Sequence, residues 1–158
     1  MTKNKHNDIV VLMIPNFVDI GASWNVLPSG VFDATLEEVR LRFATNRRRK
    51  MLFNGLRRAC NALRKAGCKV IYLDGSYITE KEIPGDFDVC WDPKNVDTKK
   101  LDPVFLVFSD QRKDQKLKYG GEFFPSSAMA NGSHIFIDYF QIDKETGLKK
   151  GIIRVQLQ

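Results

Sequence analysis

Residues 68–91 constrain this chain more than any other stretch. Cys68-Lys69-Val70-Ile71-Tyr72-Leu73 is an apolar run of strand length, and it passes directly into Asp74-Gly75-Ser76. Pro84-Gly85 marks a turn, and Asp86-Phe87-Asp88-Val89-Cys90-Trp91 reads as the next strand. Residues i and i+2 of a strand project from the same face, so Asp86 and Asp88 present two carboxylates side by side. Like charges held together are costly unless something neutralises them. A hard divalent cation does so, and Mg²⁺ prefers carboxylate oxygens together with phosphate. Gly75 lets backbone approach a ligand closely, and exposed N–H groups with the Ser76 hydroxyl suit phosphate oxygens. Taken singly, Asp-x-Asp also fits a solvated strand edge and Gly-Ser an ordinary turn. Their combination across two successive strands is more specific.

The flanking sequence supplies a scaffold. Thr35-Leu36-Glu37-Glu38 is a capping box that opens a short helix to Phe43. Thr45 or Asn46 caps a longer helix in which Leu52, Leu56, Ala59 and Leu63 recur at helical spacing, and Gly67 ends it. Its other side carries Arg47, Lys50, Arg57, Asn61 and Arg64, a basic face that fits either solvent or a phosphate backbone. Asp102-Pro103 predicts a helix to Lys116, interrupted by Gly120-Gly121. Ser133–Gln141 reads as a strand, and Glu145-Thr146-Gly147 as the turn into a last strand at Ile152–Leu157. From Thr35 the order is helix, helix, strand, strand, helix, strand, strand, which predicts an α+β fold with one covered sheet. Residues 1–34, broken by Pro15, Gly21, Pro28 and Gly30 after a possible strand at Ile9–Ile14, read as an arm.

Composition removes other classes. The longest apolar run, Ile9–Ile14, is too short to span a bilayer, and no small-residue cleavage site follows it. The expectation is a cytoplasmic protein with no membrane partner. Cys60, Cys68 and Cys90 form no CxxC pair and sit in or beside apolar stretches, so they read as buried reduced thiols rather than zinc ligands. A net charge of +6 favours polyanionic partners. His6 and His134 are isolated, and Trp24 and Trp91 read as core residues.

Strand, Gly-Ser, short spacer and Asp-x-Asp strand match the signature of the DNA polymerase beta-like nucleotidyltransferase superfamily, which the chain resembles at Gly75-Ser76 and Asp86-Phe87-Asp88. It is similar in more detail to a bacterial and phage family of minimal nucleotidyltransferases, at 27–30, 72–76, 84–91, 118–125 and 147–151. The resemblance implies a minimal nucleotidyltransferase fold, a mixed β-sheet flanked by helices, over residues 35–158. It implies two Mg²⁺ ions held by Asp86, Asp88 and a third carboxylate on a later strand, for which Asp138 is the candidate and also the candidate base. A nucleoside triphosphate such as ATP would be held by Gly75 and Ser76. Lys81 is a further candidate for phosphate, or else a solvated loop lysine. The implied reaction moves a nucleoside monophosphate to a protein or RNA acceptor, in a toxin–antitoxin or phage-defence module. The loop 116–124 would fold over the base, with Tyr119 or Phe123 stacking, unless those aromatics pack in the core. Asp74 departs from the family, which usually has an apolar residue there, and the short spacer leaves a turn where a helix normally follows Gly-Ser. These departures support an alternative, a non-catalytic antitoxin, immunity factor or nucleotide sensor of the same fold.

Overall fold

The computed structural model describes residues 14–158. His6 and residues 9–13 of the strand read at Ile9–Ile14 lie outside them. Strand β1 (Gly30–Asp33) leads into helix α1 (Leu36–Phe43), whose N-cap Thr35 accepts a hydrogen bond from the Glu38 N–H at 3.1 Å. Helix α2 (Arg47–Lys65) is capped by Asn46, which accepts from the Arg49 N–H at 2.9 Å. Its far end closes as a Schellman motif. The Gly67 N–H reaches the Arg64 carbonyl and the Cys68 N–H the Leu63 carbonyl, both at 3.0 Å, with Gly67 at φ +101°. Leu52, Leu56, Ala59 and Leu63 are buried, as their spacing predicts.

Strands β2 (Val70–Asp74) and β3 (Phe87–Trp91) form where expected. The next segment differs. Asp102 caps a 3₁₀ turn over Pro103–Leu106, the chain extends at Val107, and helix α3 occupies Ser109–Tyr119. The single helix expected from Asp102 to Lys116 is divided because both of its ends are anchored. Phe105 is fully buried and stacks on Tyr119 at 5.3 Å, while Asp102 accepts from the Tyr119 hydroxyl at 2.7 Å. Gly120, at φ +89°, closes α3, and Gly121 opens strand β4 (Gly121–Pro125) instead of breaking the chain.

The stretch Ser133–Gln141 is not a strand. It makes one bridge, Met129 to Ile135, and then the single-turn helix α4 (Phe136–Tyr139). Phe136 and Phe140 lie four residues apart and both pack on Phe124, at 4.6 and 5.1 Å, a contact that needs helical spacing. The last strand, β5 (Gly151–Gln156), therefore has no hairpin partner before it. It inserts between β1, to which it is parallel, and β2, to which it is antiparallel.

The result is an α+β fold on one mixed sheet, in the order β1-β5-β2-β3-β4, with β2 and β3 antiparallel and β3 and β4 parallel. Side chains alternate between its faces. Ile71, Leu73, Val89, Phe123 and Ile153 enter the main core with α1, α2 and α3. Cys90, Phe124 and Ile152 point the other way and pack with Phe140 beside α4. Trp91 and all three cysteines are buried, and the cysteines are free thiols. Trp24, expected in the core, is 47% exposed. Among the described residues no helix is long and apolar enough to cross a membrane.

Helices α2 and α3 touch through Gly55, where an added Cβ would stand 1.9 Å from the Tyr119 carbonyl oxygen. Alanine stabilises an exposed helix interior by about 1 kcal/mol over glycine. Here the sign should reverse. Gly55→Ala is expected to cost about 2 kcal/mol of overpacking, read as a lower urea midpoint at unchanged slope.

Candidate active site

The sheet register assembles the polar site. Asp74, the last residue of β2, pairs with Asp88 of β3, and Asp88 pairs with Glu122 of β4. All three belong to the face opposite α2 and α3, because each is two residues from a side chain of the second cluster: Tyr72, Cys90 and Phe124. Three acidic side chains thus form one row across three adjacent strands, with Asp86 just before β3 at the end of the sheet. Lysines border the row. Lys150 Nζ is 3.0 Å from Asp74 Oδ1, and Lys116 Nζ is 2.7 Å from Glu122 Oε1 and 4.0 Å from Asp86 Oδ2.

Asp88 has no hydrogen-bond or ion-pair partner among the described residues. Desolvation, followed by the nearby charges of Asp74, Asp86 and Glu122, pushes its carboxyl up to about 8, against the opposing pull of Lys144. Asp86 is raised by desolvation and by Glu122, with Lys116 opposing. Asp74, only 4% exposed, is raised by desolvation and held back by Lys150. Without a bound cation the row therefore keeps a proton on Asp88 at neutral pH.

The backbone between the motifs is held from below. Gly75 adopts φ +90°, and a Cβ there would fall 3.0 Å from Asp88 Oδ2, so only glycine lets this turn reach the carboxylate. Ser76–Ile78 form one 3₁₀ turn, the shortened element expected after Gly-Ser. Arg49, part of the basic run, is 4% exposed. Its guanidinium donates to the carbonyls of Phe43, Tyr77, Thr79 and Lys81, fixing the loop after Ser76.

Asp74, Gly75, Ser76 and Asp88 line a cavity of about 220 Å³ together with Trp24, Tyr139, Lys144 and Lys150. A larger cavity, about 660 Å³, lies among α1, α2 and β5, where Asp33 is already paired with Arg154 at 2.6 Å.

Of the residues singled out from sequence, Gly75, Ser76, Asp86 and Asp88 are brought together. Lys81 does not line the cavity, its ammonium standing 5.9 Å from the ring of Trp24, which does. Asp138 does not join them. It is exposed on α4, lines no part of the cavity and is not among the charges acting on Asp88. Glu122 stands beside Asp88 because β4, not the 133–141 segment, is the strand next to β3. Tyr119 and Phe123 pack in the core against Phe105 rather than over the cavity. Sequence reasoning missed Glu122, Lys116, Lys144, Lys150 and the buried role of Arg49. The available signal for Glu122 was its place two residues before Phe124 in a Gly-bounded run of strand-forming residues.

Among the described residues no group of three or more His, Cys, Asp or Glu side chains is placed to hold a metal ion. Mg²⁺ does not need one, because it keeps several waters and binds through one or two carboxylates plus substrate phosphate. The donors here are hard oxygens, Asp88 lacks a partner, and the Lys116 ammonium already bridges Asp86 and Glu122 as a cation would. Donors of this kind suit Mg²⁺ bound through one or two of the row's carboxylates together with water. No curated protein and no solved structure matches the chain. The chain belongs to DUF6932, a family of unknown function, which it matches over residues 18–156.

Proposed function

We propose that this protein is a cytoplasmic Mg²⁺-dependent nucleotidyltransferase that moves a nucleoside monophosphate from a nucleoside triphosphate to a protein or RNA acceptor. The observation that carries the reading is the acidic row Asp74–Asp88–Glu122, with Asp86 near it, whose members Asp74 and Asp88 line the cavity that Gly75-Ser76 help to form. Asp86, Asp88 and Glu122 hold the metal, which when bound supplies charge stabilisation to the phosphoryl oxygens and the leaving pyrophosphate. Gly75 and Ser76 meet the triphosphate, and Lys144 and Lys150 neutralise its charge. Trp24 and Tyr139 offer the base a flat apolar surface. An acceptor hydroxyl attacks the α-phosphorus, the bond to pyrophosphate breaks, and Glu122 takes the hydroxyl proton. A role in a toxin–antitoxin or phage-defence module rests on the family resemblance.

The second reading is a non-catalytic nucleotide sensor, immunity factor or antitoxin. It rests on Asp74, whose buried carboxylate beside Gly75 adds negative charge where a triphosphate would sit.

Incubation with triphosphates labelled at the α-phosphorus, Mg²⁺ and cell lysate separates the two. Transfer of label is expected from the wild type and from Asp138→Asn, and is expected to fall by about 10³ in Glu122→Gln. Labelling no higher than in an Asp86→Ala/Asp88→Ala control would leave only the second reading.

A further inference from the structure

Beside the acidic row, between α2 and α3, runs a groove of about 590 Å³ whose lining includes Arg48, Arg58, Lys113, Lys116, Lys118 and Asp86. Most of this charge is uncancelled. Arg48 donates to the carbonyls of Pro84 and Gly85, and Arg58 to the carbonyl of Lys118 at 2.9 Å. Carbonyl partners orient a guanidinium without neutralising it. Lys113 has no partner among the described residues, while Lys118 is paired with Asp102 at 2.6 Å. Met51 and Leu117, 57% and 74% exposed, supply apolar surface in the same groove. Fixed cations beside exposed apolar side chains suit a chain of phosphates bearing bases, more than they suit an acidic peptide.

Lys116 belongs to both places. It lines the groove, and its ammonium bridges Asp86 and Glu122. We propose that this groove binds single-stranded nucleic acid, and that binding draws Lys116 off the Asp86–Glu122 pair and so favours loading of a divalent cation there. The proposal rests on the reading of the acidic row as a metal centre. With Lys116 in place, a metal must displace an ammonium. With Lys116 on a phosphate, the carboxylates are left to the metal. Linkage makes the effect reciprocal, so a loaded metal strengthens nucleic-acid binding by the same factor. Asp86 belongs to the groove lining and is the residue whose carboxylate Lys116 reaches, so a bound strand passes beside the acidic row. The strand then serves as acceptor, its terminal hydroxyl oxygen forming the bond to the α-phosphorus as pyrophosphate leaves.

The test is calorimetric titration of the full chain with Mg²⁺, alone and saturated with oligouridylate, oligodeoxythymidylate or polyglutamate. Mg²⁺ affinity is expected to rise about tenfold with a nucleic acid and not with polyglutamate. Lys116→Met should bind Mg²⁺ more tightly without any oligonucleotide and lose the dependence, while Lys116→Arg keeps it. A difference between the two oligonucleotides decides whether the sugar is read. Mg²⁺ binding that ignores both oligonucleotides, or is unchanged in Lys116→Met, overturns the coupling while leaving the metal centre standing. A response to polyglutamate equal to that of the nucleic acids makes the partner an acidic protein and overturns the assignment. Absence of Mg²⁺ binding in every form refutes the metal centre itself, and the coupling with it.

Discussion

Asp88→Asn is expected to make the protein more stable and, under the proposed function, inactive. In the absence of metal, the raised Asp88 carboxyl holds a proton that the unfolded chain releases near the ordinary aspartate value of 3.8. The folded state therefore binds more protons than the unfolded state between about pH 4 and pH 8, and stability falls as pH rises through that window. Asparagine cannot ionise and escapes the loss. Asp88 borders the cavity, so relaxation and water reduce the burden well below that of a sealed site, leaving about 2 kcal/mol. In chelator, Asp88→Asn should melt about 4–8 °C above the wild type at pH 8, with no gain at pH 4. A gain of equal size at both pH values would show that the stabilisation does not come from titration. Nucleotidyl transfer by the same variant is expected to fall by about 10³ or more, because a neutral amide neither attracts the cation nor offsets its charge. Instability relieved by mutation at an active position is the usual trade between stability and function.

Arg49→Met is expected to cause the largest loss of stability. Its guanidinium satisfies four backbone carbonyls, spread over the end of α1 and the loop Tyr77–Lys81, and faces the Tyr77 ring at 5.4 Å. Burial pulls its pKa down, but arginine starts so high that it stays charged. Methionine fills most of the volume and leaves the carbonyls of Tyr77, Thr79 and Lys81 without donors, while that of Phe43 keeps the Thr45 N–H. The cost should be about 3–5 kcal/mol, or a fall of about 10 °C in melting temperature. Lysine should recover little, since an ammonium cannot reproduce the planar fork. The loop that Arg49 holds follows Gly75-Ser76, so ATP affinity should weaken in any variant that still folds. Calorimetric titration with ATP and Mg²⁺ below the melting transition measures this. A variant that melts with the wild type would show that solvent, not Arg49, satisfies the loop carbonyls.

What was legible in the sequence was local. Thr35, Asn46 and Gly67 mark helix ends because caps act within a few residues, and the apolar spacing of α2 fixes its buried face. The strands carrying Gly75-Ser76 and Asp86-x-Asp88 were equally plain. The errors came where the answer depends on distant residues. Gly120-Gly121 looks like a break, yet a Cβ on Gly121 would stand 2.3 Å from Phe87, so the second glycine is there to seat β4 against β3. In 133–141, Ile135, Phe136, Ile137, Tyr139 and Phe140 are apolar at almost every position, and periodicity cannot separate strand from helix in such a run. Phe124 decides for helix by holding Phe136 and Phe140 together. That one difference puts Glu122, and not Asp138, beside Asp88. The basic run misled in another way. Arg47 and Lys50 are exposed, but Arg49 turns inward to acceptors about 30 residues away, which composition does not reveal.

The central claim is that Asp86, Asp88 and Glu122 form a divalent-cation centre for a triphosphate seated on Gly75-Ser76. Crystals grown with Mn²⁺ and a non-hydrolysable ATP analogue test it most directly, by anomalous scattering. A manganese peak touching Asp86 and Asp88 is expected, with Glu122 released from Lys116 and the triphosphate along Gly75-Ser76. A triphosphate bound elsewhere, a peak at Asp138, or full analogue occupancy with no metal on the row would contradict it.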